Sequence, residues 1–268
     1  MVKKVIHIAD IHIRTFQLHE LYKRQFELFL EDVKKQVTGY DYDEIRVVIA
    51  GDIAHQKINI SNEQMMLTSW FINELANNVG RVIIIPGNHD FLENNTQRLD
   101  SITPIVELLN NNKIRYYKNG GLYQDENINW VVYSLYEHNE RPKFEKEEGK
   151  FHIGLFHGVI QGMSTDLGFQ FEDGYDRMNF VDLDLLLCGD IHKRQQFKLP
   201  GGGKGVMIGS LIQQNFGETV NYHGYGIYDL TKDEYSFHDL ENEQPFLHFT
   251  IKDIQDIENE KEILVNRG

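Results

Sequence analysis

Two hydrophobic rhythms alternate along the first half of this chain. Residues 2–9, Ile45–Ala50 and 81–86 are short runs rich in Val and Ile, which predict buried strands. Between the first two, apolar residues at 18, 22, 26, 29, 33 and 37 keep a helical period, and Gly39 stands where a helix stop belongs. Ser61 is placed to cap a second helix that runs to about Asn78, with Gly80 behind it. A shorter helix at 103–110 leads into a strand at 113–117. Strand and helix in alternation predict an α/β sheet with parallel strands.

The second half changes character. Residues 128–135, 151–156 and 184–188 read as strands. Residues 137–150 form a charged connection, and 158–180 a long loop containing Gly158, Gly162, Gly168 and Gly174. A loop of that length usually has a role. Gly201-Gly202-Gly203 marks a hairpin between 195–199 and 205–208, and 225–230 with 234–238 predicts another. The main domain is expected to end at about 242. Residues 243–268, with a strand-like run at 246–251 and a polar, helix-prone end, read as the start of a small or truncated second domain.

Composition narrows the classes. Apolar residues supply ample core, and no run approaches the roughly 18–20 residues needed to span a bilayer. The N-terminal run is broken by Asp10 and His12 and lacks a small-residue cleavage site, so a first strand is expected there and not a signal peptide. Cys188 is the single cysteine, which forbids an intrachain disulfide, excludes a cysteine-based zinc site and fits a cytoplasmic location. The net charge of −14 argues against an obvious nucleic-acid binder. That charge is uneven, however, because residues 232–268 alone hold 4 basic and 10 acidic residues, and bound cations invert a local field.

The candidate chemistry is concentrated just after the strands. Asp10 and His12 come after the first, Asp52 and His55 after the second, and Asn88 and His89 after the third. His157 succeeds the run at 151–156, and Asp190 with His192 the run at 184–188. Carboxyl ends of strands are where open α/β sheets bind ligands. A lone His or a Gly-Asp turn is commonplace; a supply of oxygen and imidazole donors after five strands in order is not. The number of donors suits two metals: Asp10, His12, Asp52 and His192 for one, and Asp52, Asn88, His157 and Asp190 for the other, with Asp52 shared. Mixed carboxylate and imidazole donors favour manganese, iron or zinc over calcium or magnesium alone. Two such ions about 3.5–4 Å apart clamp both oxygens of an in-line phosphoryl displacement. His89 and His55 are left to contact the phosphate and protonate the leaving oxygen. Arg14, Lys193 and Arg194 are candidates for substrate phosphates.

Asp10-x-His12, Gly51-Asp52-x-x-His55, Gly87-Asn88-His89-Asp90, His157-Gly158 and Gly189-Asp190-x-His192 resemble the motifs of the calcineurin-like metallophosphoesterase superfamily. The resemblance covers about residues 1–230 and implies a four-layer α/β/β/α sandwich around a dinuclear metal site. Within the superfamily the chain looks most like the nuclease subunit of double-strand-break repair complexes, the SbcD-type exonucleases. His55 three residues after Asp52, the segment at 189–195, and Gly209-Ser210-Leu211 with Phe216-Gly217-Glu218 behind it carry that likeness. It implies a manganese-dependent 3′–5′ exonuclease and endonuclease in DNA repair or recombination, with magnesium, iron or zinc as other metals. It also implies DNA, an SMC-like ATPase subunit and a second copy of the chain as partners. One departure is Asp190, where the family has His. Two other readings remain open: an enzyme of this fold acting on a small phosphate ester, and a non-catalytic scaffold. The helix from Ser61 has a broad apolar face (Met65, Met66, Leu67, Trp70, Phe71, Ile72, Leu75), which suits either a dimer interface or packing within the chain.

Overall fold

A computed structural model describes residues 1–137 and 141–247. Its strands are β1 (Lys4–Ile8), β2 (Ile45–Ala50), β3 (Arg81–Ile85), β4 (Ile114–Tyr116), β5 (Gly121–Asp125), β6 (Ile128–Tyr133), β7 (Phe151–His157), β8 (Leu185–Gly189), β9 (Gln195–Lys198), β10 (Lys204–Met207), β11 (Gly224–Asp229) and β12 (Glu234–Asp239). Its helices are α1 (His19–Gln36), α2 (Asn62–Asn78) and α3 (Thr103–Leu109). The strands form two sheets of six, ordered β12-β11-β1-β2-β3-β4 and β5-β6-β7-β8-β10-β9. β1 to β4 pair in parallel in the first sheet, and β6, β7 and β8 in the second. Both hairpins expected from glycine and turn patterns form, β9 with β10 and β11 with β12.

The layering comes from which side chains each strand buries. Ile6, Ile8, Val47 and Ile49 face α1 and α2, where Phe26 stacks on Phe71 with ring centroids 4.0 Å apart. Val5, Val48, Ile83, Trp130, Leu155 and Leu187 fill the space between the sheets. β2 is buried at every position because it is covered on both faces, as expected for a central parallel strand. Arg46 leaves β2 to reach the second sheet, donating through Nε and Nη2 to Asp125 at 2.7 and 2.8 Å. The outer face of the second sheet is covered by the long loop after β7 and its short 3₁₀ turn, Arg177–Phe180. Ile160, Met163, Phe180 and Leu183 from this stretch pack on Phe156, Leu186 and Cys188. The fourth layer of the sandwich is thus mostly irregular chain held by apolar burial.

Ser61 caps α2, its Oγ accepting from the Gln64 N–H at 3.1 Å. The breadth of that helix is largely taken up inside the chain: Leu67, Phe71, Ile72 and Leu75 are buried, Met65 and Trp70 pack against the same core, and Met66 stays exposed. β5 was not foreshadowed by the sequence pattern. It is an edge strand whose half-exposed face carries polar residues, so alternation is weak. The strand-like run at 246–251 and the helix-prone end reach beyond the described residues.

Candidate metal centre

The carboxyl ends of β1, β2, β3, β7 and β8 converge, and the loops that leave them place the donors together. His157 Nε2 lies 3.4 Å from Asp52 Oδ1, 3.3 Å from Asn88 Oδ1 and 3.7 Å from Asp190 Oδ1. Asp52 turns its other oxygen the opposite way, 3.4 Å from His12 Nε2. His12 Nε2 in turn lies 3.0 Å from His192 Nε2. Asp10 belongs to both sides, with donor atoms within 4.8 Å of His12 and His192 on one and of Asp52 and His157 on the other. Asp52 and Asp10 both link the two halves of the cluster, whereas donor order along the sequence singles out Asp52 alone. His12, His55 and His89 make a third convergent group, which donor order does not anticipate.

Close approach explains the glycines before the donors. A Cβ on Gly51 would sit 2.4 Å from His157 Nδ1, on Gly87 2.2 Å from Asp52 Oδ1, and on Gly189 2.3 Å from the Ala50 carbonyl oxygen. Asp10, His12, Asp52 and Asp190 adopt φ of 52°, 50°, 54° and 99°, conformations that side chains with a Cβ disfavour. Strain of this kind persists where surrounding structure over-determines it, typically at functional sites. Backbone donors tie the loops to one another. The Asp190 N–H donates to both oxygens of Asp10 at 3.0 and 3.1 Å, and the His89 N–H to Asp52 at 2.8 Å.

The donors suit divalent cations on chemical grounds. Hydrogen-bonded to the Ala50 carbonyl oxygen at 2.7 Å, His157 Nδ1 carries the ring proton of the neutral imidazole. Its Nε2 lone pair then faces three acceptor oxygens, an arrangement that only a cation or an added proton satisfies. In the metal-free chain a proton does so. Burial opposes charge on His157, but the adjoining Asp52, Asp10 and Asp190 outweigh it and hold the imidazole well above its usual range. Burial likewise pushes the Asp10 carboxyl up to about 7 and raises Asp190. Asp52 moves the other way despite burial, because His157, His12 and the His89 N–H favour its charged form. His192 is set by Glu218: its Nδ1 donates to Glu218 Oε1 at 2.7 Å, which overcomes burial and lifts the imidazole to about 9.

The two remaining histidines differ. His89 Nδ1 donates to the His55 carbonyl oxygen at 2.7 Å, so Nε2 is the nitrogen left for chemistry. His55 is kept neutral by burial and by Arg14, whose Nη1 lies 3.4 Å from His55 Nε2. Arg14 is anchored at the Gln214 carbonyl oxygen at 2.9 Å and stands beside His55 at the edge of the cluster. Lys193 sits beside His192 but donates to Ser164 Oγ at 3.2 Å. Arg194 is turned away: its Nη1 meets Asp239 Oδ1 at 2.5 Å and its guanidinium lies 4.6 Å from the Phe237 ring centroid. Its Nε and Nη2 are buried without a hydrogen-bond partner among the described residues.

Two residues of the site are not evident from the order of donors in the sequence. Glu218 orients His192; its only signal is the Phe216-Gly217-Glu218 segment, which marks a family branch without assigning the carboxylate a role. Asp90 accepts from the Ala54 and Gly87 N–H groups, both at 2.9 Å, and so locks the two middle loops together. His7 has a structural place, buried in β1 with its Nδ1 2.9 Å from the Tyr235 hydroxyl.

Comparison with known proteins agrees with the geometry. The chain is 34% identical over 271 residues to the uncharacterized protein R555 of Acanthamoeba polyphaga mimivirus, an alignment that takes in 96% of this chain and 19% of that protein. The chain thus spans about a fifth of the length of that curated relative. Residues 3–194 match the calcineurin-like phosphoesterase family. That stretch begins just before β1 and ends after His192, so it contains every strand-end loop of the cluster, and the chain belongs to the calcineurin-like phosphoesterase family.

Proposed function

We propose that the chain is a metal-dependent phosphodiesterase acting on DNA, with His89 as the acid that protonates the leaving oxygen. The observation that carries this reading is the placement of His55 and His89 beside a complete donor set, their rings stacked with centroids 5.8 Å apart. One ion would be held by Asp10, His12, Asp52 and His192, and a second by Asp52, Asn88, His157 and Asp190. Bound divalent cations supply charge neutralisation and an acidified water for attack on phosphorus. The protein's own groups do the rest. Burial, with Arg14 beside it, lowers the His55 imidazole, and Arg14 would present a fixed positive charge to a phosphate oxygen. The bond from His89 Nδ1 to the His55 carbonyl oxygen orients the ring and leaves Nε2 as the nitrogen that would pass a proton to the leaving oxygen.

Support for DNA as substrate comes from the 209–218 segment, which resembles the repair-nuclease branch and folds onto the centre through Glu218 and Gln214. On this reading manganese is the working metal, and an SMC-like ATPase and a second copy of the chain are partners. A small phosphate ester is the competing substrate, favoured by the net charge of −14. A panel of labelled duplex DNA, single-stranded DNA and p-nitrophenyl phosphates, each with manganese and with chelator, separates the two. Chelator-sensitive cleavage of DNA is the expected result; turnover of the nitrophenyl esters with intact DNA would replace the nuclease reading with the small-ester one. A chain that retains less than one manganese per molecule after loading would overturn both.

A further inference from the structure

Beside the metal centre lies a cavity of about 430 Å³, within the roughly 300–1,000 Å³ span of small-molecule sites. It opens on Asp190 and His192 and is walled by Val159, Leu167, Phe171 and Ile191, with Lys193 and Asn215 contributing polar groups. The centre's own residues therefore form one wall, and a group held there is attached close to the phosphorus that the centre handles. The walls are tied together. The Thr219 N–H donates to Asp166 Oδ2 at 3.2 Å, and Gln195 and Ser164 exchange bonds of 3.0 and 2.9 Å. Leu167, on the loop that covers the second sheet, is 81% exposed at the rim, an apolar side chain with no core to fill. Asp166, Lys193 and Asn215 already bond within the chain, to Thr219, Ser164 and Glu218, and the hydrogen-bonding capacity that each keeps beyond those bonds has no match on an acyl chain. A planar heteroaromatic ring offers an apolar face to Leu167 and Phe171 and hydrogen-bonding edges to the polar rim.

We propose that this cavity receives the nucleobase of the nucleotide adjoining the scissile phosphate, unstacked from its neighbours, with Leu167 and Phe171 as its apolar walls. The proposal rests on the reading of the Asp-His cluster as a phosphate-handling metal centre and names the substrate feature recognised next to it. It accounts for the long loop after β7: the chain there both covers the sheet and builds a base site.

The test compares binding of deoxyadenosine 5′-phosphate and deoxyribose 5-phosphate to the full, manganese-loaded chain by calorimetry, alongside chelator-sensitive hydrolysis of single-stranded DNA and of a p-nitrophenyl phosphate. The expected result is about tenfold tighter binding of the base-bearing ligand, with the ratio falling toward one in Leu167→Asp. Leu167 is exposed, so this variant leaves the core intact, and a thermal melt checks that. A wild-type ratio near one in a chain that binds the sugar phosphate and hydrolyses either substrate overturns the base site alone, as does an unchanged ratio in Leu167→Asp. Failure to bind either ligand together with absence of hydrolysis overturns the metal-centre reading and the base site with it.

Discussion

Replacing Glu218 tests the metal centre without touching a proposed metal donor. Its carboxylate is a hub. Oε1 accepts from His192 Nδ1 at 2.7 Å and Asn215 Nδ2 at 2.7 Å; Oε2 accepts from the Gln214 N–H at 2.8 Å and Ser210 Oγ at 3.2 Å. In Glu218→Gln the amide nitrogen fits best at the Oε2 position, where Ser210 can turn to accept and only the Gln214 N–H is left facing a donor. His192 then keeps its orientation and loses the negative charge behind it. In Glu218→Ala both are lost. Partners of metal-binding histidines are typically worth ten- to a hundredfold in affinity, so about tenfold is expected for Gln and about a hundredfold for Ala. With manganese at 100 times the wild-type Kd, metal stabilises the wild type by about 2.7 kcal/mol, the Gln variant by about 1.4 and the Ala variant by about 0.4. Calorimetric titration gives the affinities directly, and melts with and without manganese give the stabilities. An Ala variant that melts cooperatively and binds manganese with wild-type affinity would show that His192 needs no orienting partner, and would remove it from the metal site.

Three further substitutions probe the acid, the loop packing and the link between the sheets. His89→Ala is expected to lower the hydrolysis rate by about 10²- to 10⁴-fold while leaving the manganese content unchanged; a near-wild-type rate would remove it as the leaving-group acid. Gly87→Ala places a Cβ 2.2 Å from Asp52 Oδ1 and 2.3 Å from the Asp52 nitrogen, both held by neighbouring loops, and should cost about 1–3 kcal/mol in urea unfolding. A loss within experimental error would mean that the loops yield freely. Asp125→Asn breaks the fork to the buried Arg46 and is expected to cost about 3 kcal/mol at neutral pH. Arg46 holds the Asp125 carboxyl below its ordinary value despite partial burial, so this stability is present above the unfolded carboxyl pKa of about 3.9 and is lost as pH falls through the lower folded value. The melting gap between wild type and variant should therefore be widest near pH 7 and close below about pH 4; a gap independent of pH would refute the ion pair as its source.

What the chain disclosed in sequence was mainly local. The parallel strands were legible because β2 and β3 are rich in Val and Ile despite Arg46 within β2 and Arg81 at the head of β3, and the donors because each comes within a few residues of such a run. Ser61 was legible as a cap for the same reason. What escaped depends on chain returning from afar. Glu218 lies 26 residues beyond His192 and reaches it only once the segment before β11 folds back over the centre. Arg194 comes two residues after His192 in sequence, yet its direction is decided by Asp239 on β12. The width of α2 was ambiguous because both α1 and the first sheet claim it, and only the Phe26–Phe71 stack shows how. The cover of the second sheet was invisible to periodicity because irregular chain buries its apolar residues with no fixed repeat.

These separate features share one energetic logic. Donors in positive φ, glycines pressed against neighbouring loops, and carboxylates drawn out of water all work against folding when taken singly. Protons reduce the cost in the metal-free chain, since burial lifts Asp10 and Asp90 to about 7 and the carboxylates around His157 keep that ring charged. Divalent cations would do the same while leaving the carboxylates ionised, so metal binding displaces protons and relieves like-charge crowding in one step. Asp190 sharpens this balance. It is a further carboxylate, 3.7 Å from His157 Nε2 and with its own N–H committed to Asp10. A cation bound on the His157 side would therefore meet one more carboxylate, which would favour its retention over its power to polarise a ligand. The proposed acid, His89, has its ring beside His12, with centroids 4.9 Å apart, while its N–H is bonded to the Asp52 oxygen that faces His157, so it bridges the two sides of the cluster.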